Sequence, residues 1–137
     1  MKNHISIGKI GEDMASKYLQ ERGCRIIERN YKERFGEIDI IAKGKGGRLL
    51  FVEVKTLAKN EDENALIPED NMSASKIGKF KRVAQAFANA NPALVRENAG
   101  WQIDCIAISI PRQALERADD LTYIMENSEM RYYENIG

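Results

Sequence analysis

Gly36-Glu37-Ile38-Asp39-Ile40-Ile41-Ala42-Lys43 runs through the glycine-rich Gly44-Lys45-Gly46-Gly47 into Arg48-Leu49-Leu50-Phe51-Val52-Glu53-Val54-Lys55-Thr56. Both flanks are β-branched and aromatic, so they read as strands over Glu37–Ala42 and Arg48–Thr56. The glycines and lysines between them read as a turn. Side chains alternate along a strand. In the later strand Phe51, Glu53 and Lys55 share one face, and Leu50, Val52 and Val54 the other. In the earlier strand Glu37, Asp39 and Ile41 lie opposite Ile38, Ile40 and Ala42. A three-residue loop at Lys45-Gly46-Gly47 sets Ile41 opposite Phe51 and Asp39 opposite Glu53. A two-residue loop would set Asp39 opposite Val52 and mix the faces. The hydrophobic pattern thus selects the register that faces two carboxylates at about 5 Å between Cβ atoms.

Facing carboxylates repel unless something compensates. A hard divalent cation such as Mg²⁺ or Mn²⁺, finished by waters and substrate phosphate, is the natural partner. Lys55, one pleat away, is placed to hold an attacking water or to offset charge on a phosphorane. Glu-x-Lys on a strand is also what a solvated ion-paired face looks like. The preceding Leu49-Leu50-Phe51-Val52 run argues against that, because it reads as buried on both faces.

Outward from the hairpin, Ile10, Met14, Ala15, Tyr18 and Leu19 recur at helical spacing over Lys9–Arg22, and Gly23 supplies the stop. Cys24 to Tyr31 reads as a strand. Leu57 to Met72 is acidic and reads as a long loop. Ser73 or Ser75 caps a helix of Ser75–Ala90 with the stripe Ile77, Phe80, Val83, Ala84 and Phe87. Lys76, Lys79 and Arg82 follow one flank of that stripe and Lys81 the other; Lys76 and Lys79 are candidate phosphate contacts. Lys43, Lys45 and Arg48 add charge at the hairpin turn. Trp101 to Ile110 reads as a strand stopped by Pro111. Leu121 to Met125 reads as a short edge strand, followed by frayed residues. On the helical wheel alone, Glu12 is an exposed glutamate suited to the helix N-terminal dipole.

The 137 residues suffice for a single domain, 1–137, of α/β class, with a mixed, mainly antiparallel sheet flanked by helices. The 21 basic and 21 acidic residues cancel, which argues against a nucleic-acid coat protein but leaves a local basic face open. Cys24 and Cys105 read as buried, reduced thiols. With His4 the sole histidine and no Cys-x-x-Cys, a structural zinc site is not expected. No secretory pattern or membrane span is read, so the expectation is a cytoplasmic protein without a membrane partner.

Gly8-Lys9-Ile10-Gly11-Glu12, Ala15, Tyr18-Leu19, Gly23, Arg29-Asn30-Tyr31, Gly36-Glu37-Ile38-Asp39-Ile40-Ile41 and Phe51-Val52-Glu53-Val54-Lys55-Thr56 stand in an order that resembles the YraN-like family of predicted endonucleases. That family is distantly related to archaeal Holliday-junction resolvases in the PD-(D/E)XK superfamily. Lys76, Ala84 and Ala86, then Trp101-Gln102-Ile103-Asp104 and Glu126-Asn127-Ser128, extend the resemblance over most of the chain. It implies a restriction-endonuclease-like core and a Mg²⁺- or Mn²⁺-dependent endonuclease acting on DNA, with branched or flapped structures among its candidate substrates. By position, Asp39 and Glu53 match the metal carboxylates, Lys55 the catalytic lysine and Glu12 a helix-borne acid; the Val54 carbonyl is a further metal ligand. A homodimer stays open. Leu57 stands where the family usually has arginine. With the zero net charge, that supports an alternative: a non-catalytic nucleic-acid-binding or scaffold module on the nuclease fold.

Overall fold

A computed structural model describes residues 6–59, 69, 73–95 and 99–137. Helix α1 (Ile7–Glu21) closes as the sequence requires. Gly23 takes φ 87°, its N–H donates to the Gln20 carbonyl, and the Cys24 N–H donates to the Leu19 carbonyl. Those two bonds are a Schellman motif, and the left-handed φ is why a glycine stands there. Strands β1 (Arg25–Glu33), β2 (Gly36–Lys43) and β3 (Leu49–Lys59) form an antiparallel meander. Helix α2 (Ala74–Ala90), capped by the Ser73 hydroxyl on the Lys76 N–H, crosses to β4 (Trp101–Pro111), which runs parallel to β3. Helix α3 (Leu121–Asn127) and antiparallel β5 (Glu129–Tyr133) complete a sheet in the order β1-β2-β3-β4-β5. The sheet is mixed and mostly antiparallel, as the sequence implies.

Each face of the sheet has its own core. Ile10, Met14, Ala15 and Leu19 of α1 pack on Ile40, Ala42, Leu50, Val52 and the Ile106-Ile108-Ile110 row. On the other face, Phe80, Val83, Ala84 and Phe87 of α2 pack on Ile38, Ile41, Leu49 and Phe51. Because β3 and β4 are covered on both faces, they read as nearly continuous apolar runs.

Four expectations need correction. Leu57 does not open a loop: Leu57, Ala58 and Lys59 continue β3, paired with Ser109, Ile110 and Pro111. The rest of that expected loop lies outside the described residues except Glu69. Leu121 to Met125 is helix, not strand. Asp120 caps it by accepting from the Tyr123 N–H, and Leu121, Ile124 and Met125 turn one side to the α1-face core. The edge strand is Glu129–Tyr133 instead. The final residues are tied down: the Asn135 N–H donates to Asp104 at 2.9 Å and the Ile136 N–H to the Ile103 carbonyl at 2.8 Å. Finally, strict alternation fails within β2. Ile38 packs with Ile41 on the α2 face, whereas Ile40 and Ala42 pack on the α1 face. The break falls at Asp39, beside Asn30 of β1, which sits at φ 53° between the pairs Arg29↔Ile40 and Tyr31↔Ile38.

Gly11 fixes how closely α1 approaches β3. A Cβ there would lie 1.9 Å from Thr56 Oγ1 and 2.9 Å from Thr56 Cβ. Rotating the hydroxyl removes the first clash but not the second, so the helix must lift. Overpacking of this kind costs about 1–3 kcal/mol, against a helix-propensity gain of about 1 kcal/mol. Gly11→Ala is therefore expected to lower the urea midpoint at unchanged m value; an unchanged or higher midpoint would contradict the close approach.

Candidate active site

The hairpin has the three-residue loop. Gly44 N–H donates to the Arg48 carbonyl, and the ladder runs through Lys43↔Leu49, Ala42↔Leu50, Ile41↔Phe51 and Ile40↔Val52. There it stops. β2 stays paired to β1 as far as Gly36↔Glu33, so it peels away from β3 at Asp39. The splay leaves the Val54 N–H without a ladder partner, and Asp39 Oδ2 accepts it at 2.8 Å. A strand N–H points in the plane of the sheet. The Asp39 carboxylate therefore sits in the gap between the strands, not out on either face.

That position is electrostatically hostile. Burial, the largest cause, raises the Asp39 pKa from 3.8 to about 7; the Val54 N–H opposes the rise, and the charges of Glu12, Glu53 and Glu37 add to it. Glu12 on α1 is also raised, first by burial; Arg29 and Asn30 pull it down, and Glu37 and Asp13 push it up. Glu12 Oε1 is buried and lacks a hydrogen-bond partner among the described residues, as does Arg29 Nε. Arg29 is held by Asp13 at 2.8 Å. On β3, Lys55 Nζ meets Glu53 Oε1 at 2.8 Å, with both side chains half-buried.

Glu12, Asp39 and Glu53 thus converge electrostatically on the splayed end of β2 and β3, with Lys55 paired to Glu53. Val54 enters through its amide, which anchors Asp39. Sequence reading passed over Glu37 and Asn30. Glu37 was visible two residues before Asp39 in the same strand; the role of Asn30 rests on a positive φ that a lone Asn signals only weakly.

The cations divide between the two ends of the sheet. Val83 lies 3.6 Å from a Cβ built on Gly36, and Phe87 packs edge-on against Tyr31 and Phe51. Those contacts run α2 with its N-terminal turns toward the splayed end. Lys76 and Lys79, both exposed, are carried toward that end. The hairpin-turn cations lie at the other end. Lys43 and Lys45 join Arg25 around a cavity of about 300 Å³, and Arg48 is tied to the Ala99 carbonyl and Gln102. They do not line the gap.

On the α2 face, the register places Glu53, Cys105 and Tyr133 in one row, and Lys55, Ala107 and Arg131 in the next. Arg131 and Tyr133 grip Glu69, with Arg131 Nη2 at 2.9 Å and the Tyr133 hydroxyl at 2.6 Å. Arg131, the leading cause, holds the Glu69 carboxyl down at about 2. One acid of the acidic segment is therefore a clamp onto β5. Neither cysteine is in a disulfide; Cys24 is half-buried and Cys105 buried, and burial pushes the Cys105 thiol up to about 12, so its protonated form is favoured at neutral pH.

The family model described as "Uncharacterised protein family UPF0102" matches residues 11–108, a span that holds Glu12, Asp39, Glu53, Lys55, Lys76 and Lys79. The chain belongs to the UPF0102 family. It is the YraN family that the sequence resembles. Similar UPF0102 proteins include one from Dictyoglomus turgidum (strain DSM 6724 / Z-1310), 46% identical over 85 residues that cover 62% of this chain and 69% of the relative. One from Chloroherpeton thalassium (strain ATCC 35110 / GB-78) is 37% identical over 108 residues, covering 79% and 78%. One from Mycobacterium sp. (strain KMS) is 35% identical over 121 residues, covering 85% and 83%. Among the described residues of this UPF0102 chain, no helix is long and apolar enough to cross a membrane.

Proposed function

We propose that this chain is a divalent-metal-dependent endonuclease that hydrolyses DNA phosphodiester bonds, with branched or flapped DNA as substrate. One observation carries the reading. Asp39 is wedged into the strand gap beside Glu12 and Glu53, where its own ionisation is opposed until a cation arrives. The orphaned Glu12 Oε1 has the same deficit. The donors fit Mg²⁺ or Mn²⁺: Asp39 and Glu53 would hold the ion with the Val54 carbonyl. Among the described residues no three His, Cys, Asp or Glu side chains are grouped to hold a metal. With two protein carboxylates, the proposed ion would keep several waters and take substrate phosphate into its shell. When bound, such an ion supplies an acidified water and offsets charge on the scissile phosphate.

The remaining roles fall to the chain. Lys55, steered by Glu53, donates from Nζ toward the attacking water or the charged phosphate oxygens. Glu12, with its raised pKa, is an acid at hand for a leaving oxygen. Lys76 and Lys79 contact backbone phosphates and set the position of the duplex without reading sequence. The test is incubation with linear duplex, forked, flapped and four-way DNA in Mg²⁺ or Mn²⁺. A cut in at least one structured DNA, abolished by EDTA, is expected. Binding without any cut would favour the non-catalytic module, and neither binding nor cutting would defeat both.

A further inference from the structure

The β1–β2 hairpin outruns the sheet. β2 leaves β3 after Ile40↔Val52 but stays on β1 to Gly36↔Glu33, so residues 36–39 and their β1 partners form a two-stranded arm. At about 3.4 Å per residue the arm extends about 14 Å. Its tip is Arg34-Phe35, both exposed, with Phe35 at 57%. Phe35 and Tyr133 are the exposed large hydrophobics among the described residues, and Tyr133 is engaged with Glu69. The arm is braced rather than loose. Tyr31 packs edge-on against Phe87 with ring centroids 5.0 Å apart, and Val83 closes on Gly36. A braced arm thus holds a phenylalanine more than half in water.

We propose that Phe35 is a base-stacking platform that gives the site its substrate class, nucleic acid with an unpaired base near the cleaved phosphate. The inference rests on the nuclease reading above. Phe35, just before β2, lies four residues from Asp39 along the chain, a span of about four stacked nucleotides. It stands at the same end of the sheet toward which α2 carries Lys76 and Lys79. A base within a duplex offers only its edges, whereas a splayed base offers a π-face; aromatic stacking is worth about 1–3 kcal/mol per base. Arg34 stands beside it to take the adjoining phosphate. A protein partner fits less well, because one aromatic and one arginine make a far smaller patch than the roughly 800 Å² per side of a stable interface.

The experiment measures binding in Ca²⁺ to a forked DNA carrying 2-aminopurine at its first unpaired position, and to the fully paired duplex. Wild type, Phe35→Ala and Phe35→Trp are compared, with thermal melts to establish folding. Phe35→Ala is expected to weaken fork binding about 5- to 150-fold and to abolish 2-aminopurine quenching, with duplex binding unchanged. Phe35→Trp should keep the fork preference. If Phe35→Ala binds fork and duplex as wild type does, the stacking role is overturned while the nuclease reading stands. A loss of self-association as the only change would assign Phe35 to a dimer contact and overturn the stacking role too. If wild type binds neither DNA, both readings fail.

Discussion

Under the proposed nuclease reading, Glu53→Gln is expected to lower the cleavage rate at least about 10³-fold and to leave the fold intact. The amide keeps the size and half-buried position of the glutamate on β3, so the core row Leu49-Leu50-Phe51-Val52 beneath it is undisturbed. What would be lost is one of the two carboxylates proposed for the cation, together with the anion that holds Lys55 at 2.8 Å. Metal-derived stabilisation of a phosphoryl transition state is worth several kcal/mol, and each 1.4 kcal/mol is about tenfold in rate. Lys55→Met removes a positioned donor and is expected to cost about 10²–10³-fold. Because the two act as a unit, the double variant should be slowed far less than the product of the single losses. Single-turnover cleavage of the best DNA substrate, beside thermal melts, reads all three. A Glu53→Gln rate within tenfold of wild type would remove Glu53 from the chemistry.

Asp39→Asn is expected to abolish the proposed activity yet to stabilise the metal-free protein at neutral and alkaline pH. The folded pKa of Asp39 is raised, to about 7 from 3.8, chiefly by burial. A raised carboxyl stabilises the fold in its protonated form. That contribution is fully present below about pH 4 and gone above about pH 7, lost as the unfolded chain ionises first. The difference amounts to up to about 4 kcal/mol at 1.36 kcal/mol per pKa unit. Asparagine does not ionise, and its carbonyl still accepts from the Val54 N–H. Its advantage over wild type should therefore be small at pH 4 and largest at pH 8. Urea denaturation in EDTA at the two pH values measures it, and an equal difference at both would show that Asp39 is not strained by charge. A site residue that costs stability is the usual signature of a group kept for function.

The hairpin register was legible because period-two alternation and loop length constrain each other: Ile41↔Phe51 and Lys43↔Leu49 both follow from them. The helix end at Gly23 was legible from local chemistry. The splay was not. Counting along β2 placed Asp39 on the face of Ile41, whereas the strand peels away at that residue and turns the carboxylate into the gap. Periodicity carries no signal for where a ladder ends. Nor did it show β3 running on through Leu57-Ala58-Lys59, because parallel pairing with β4 is a tertiary contact. Leu121 to Met125 reads as strand although it is helix, because a short apolar run fits either equally. The deciding cue, Asp120 as an N-cap, was in the sequence. Glu12 lay beyond the helical wheel, which orders side chains around an axis but cannot show that Gly11 lets α1 sit against Thr56 and brings Glu12 to the gap.

Thermal melting with and without Mn²⁺ at pH 7.5, wild type beside the Asp39→Asn, Glu53→Gln double variant, tests the cation site most directly. A cation that binds the folded gap stabilises by mass action, about 2.7 kcal/mol at a hundred times its Kd. Wild type should gain several degrees in Tm; the double variant should not. A wild-type Tm indifferent to Mn²⁺, or an equal rise in the double variant, would contradict a metal-holding gap between β2 and β3.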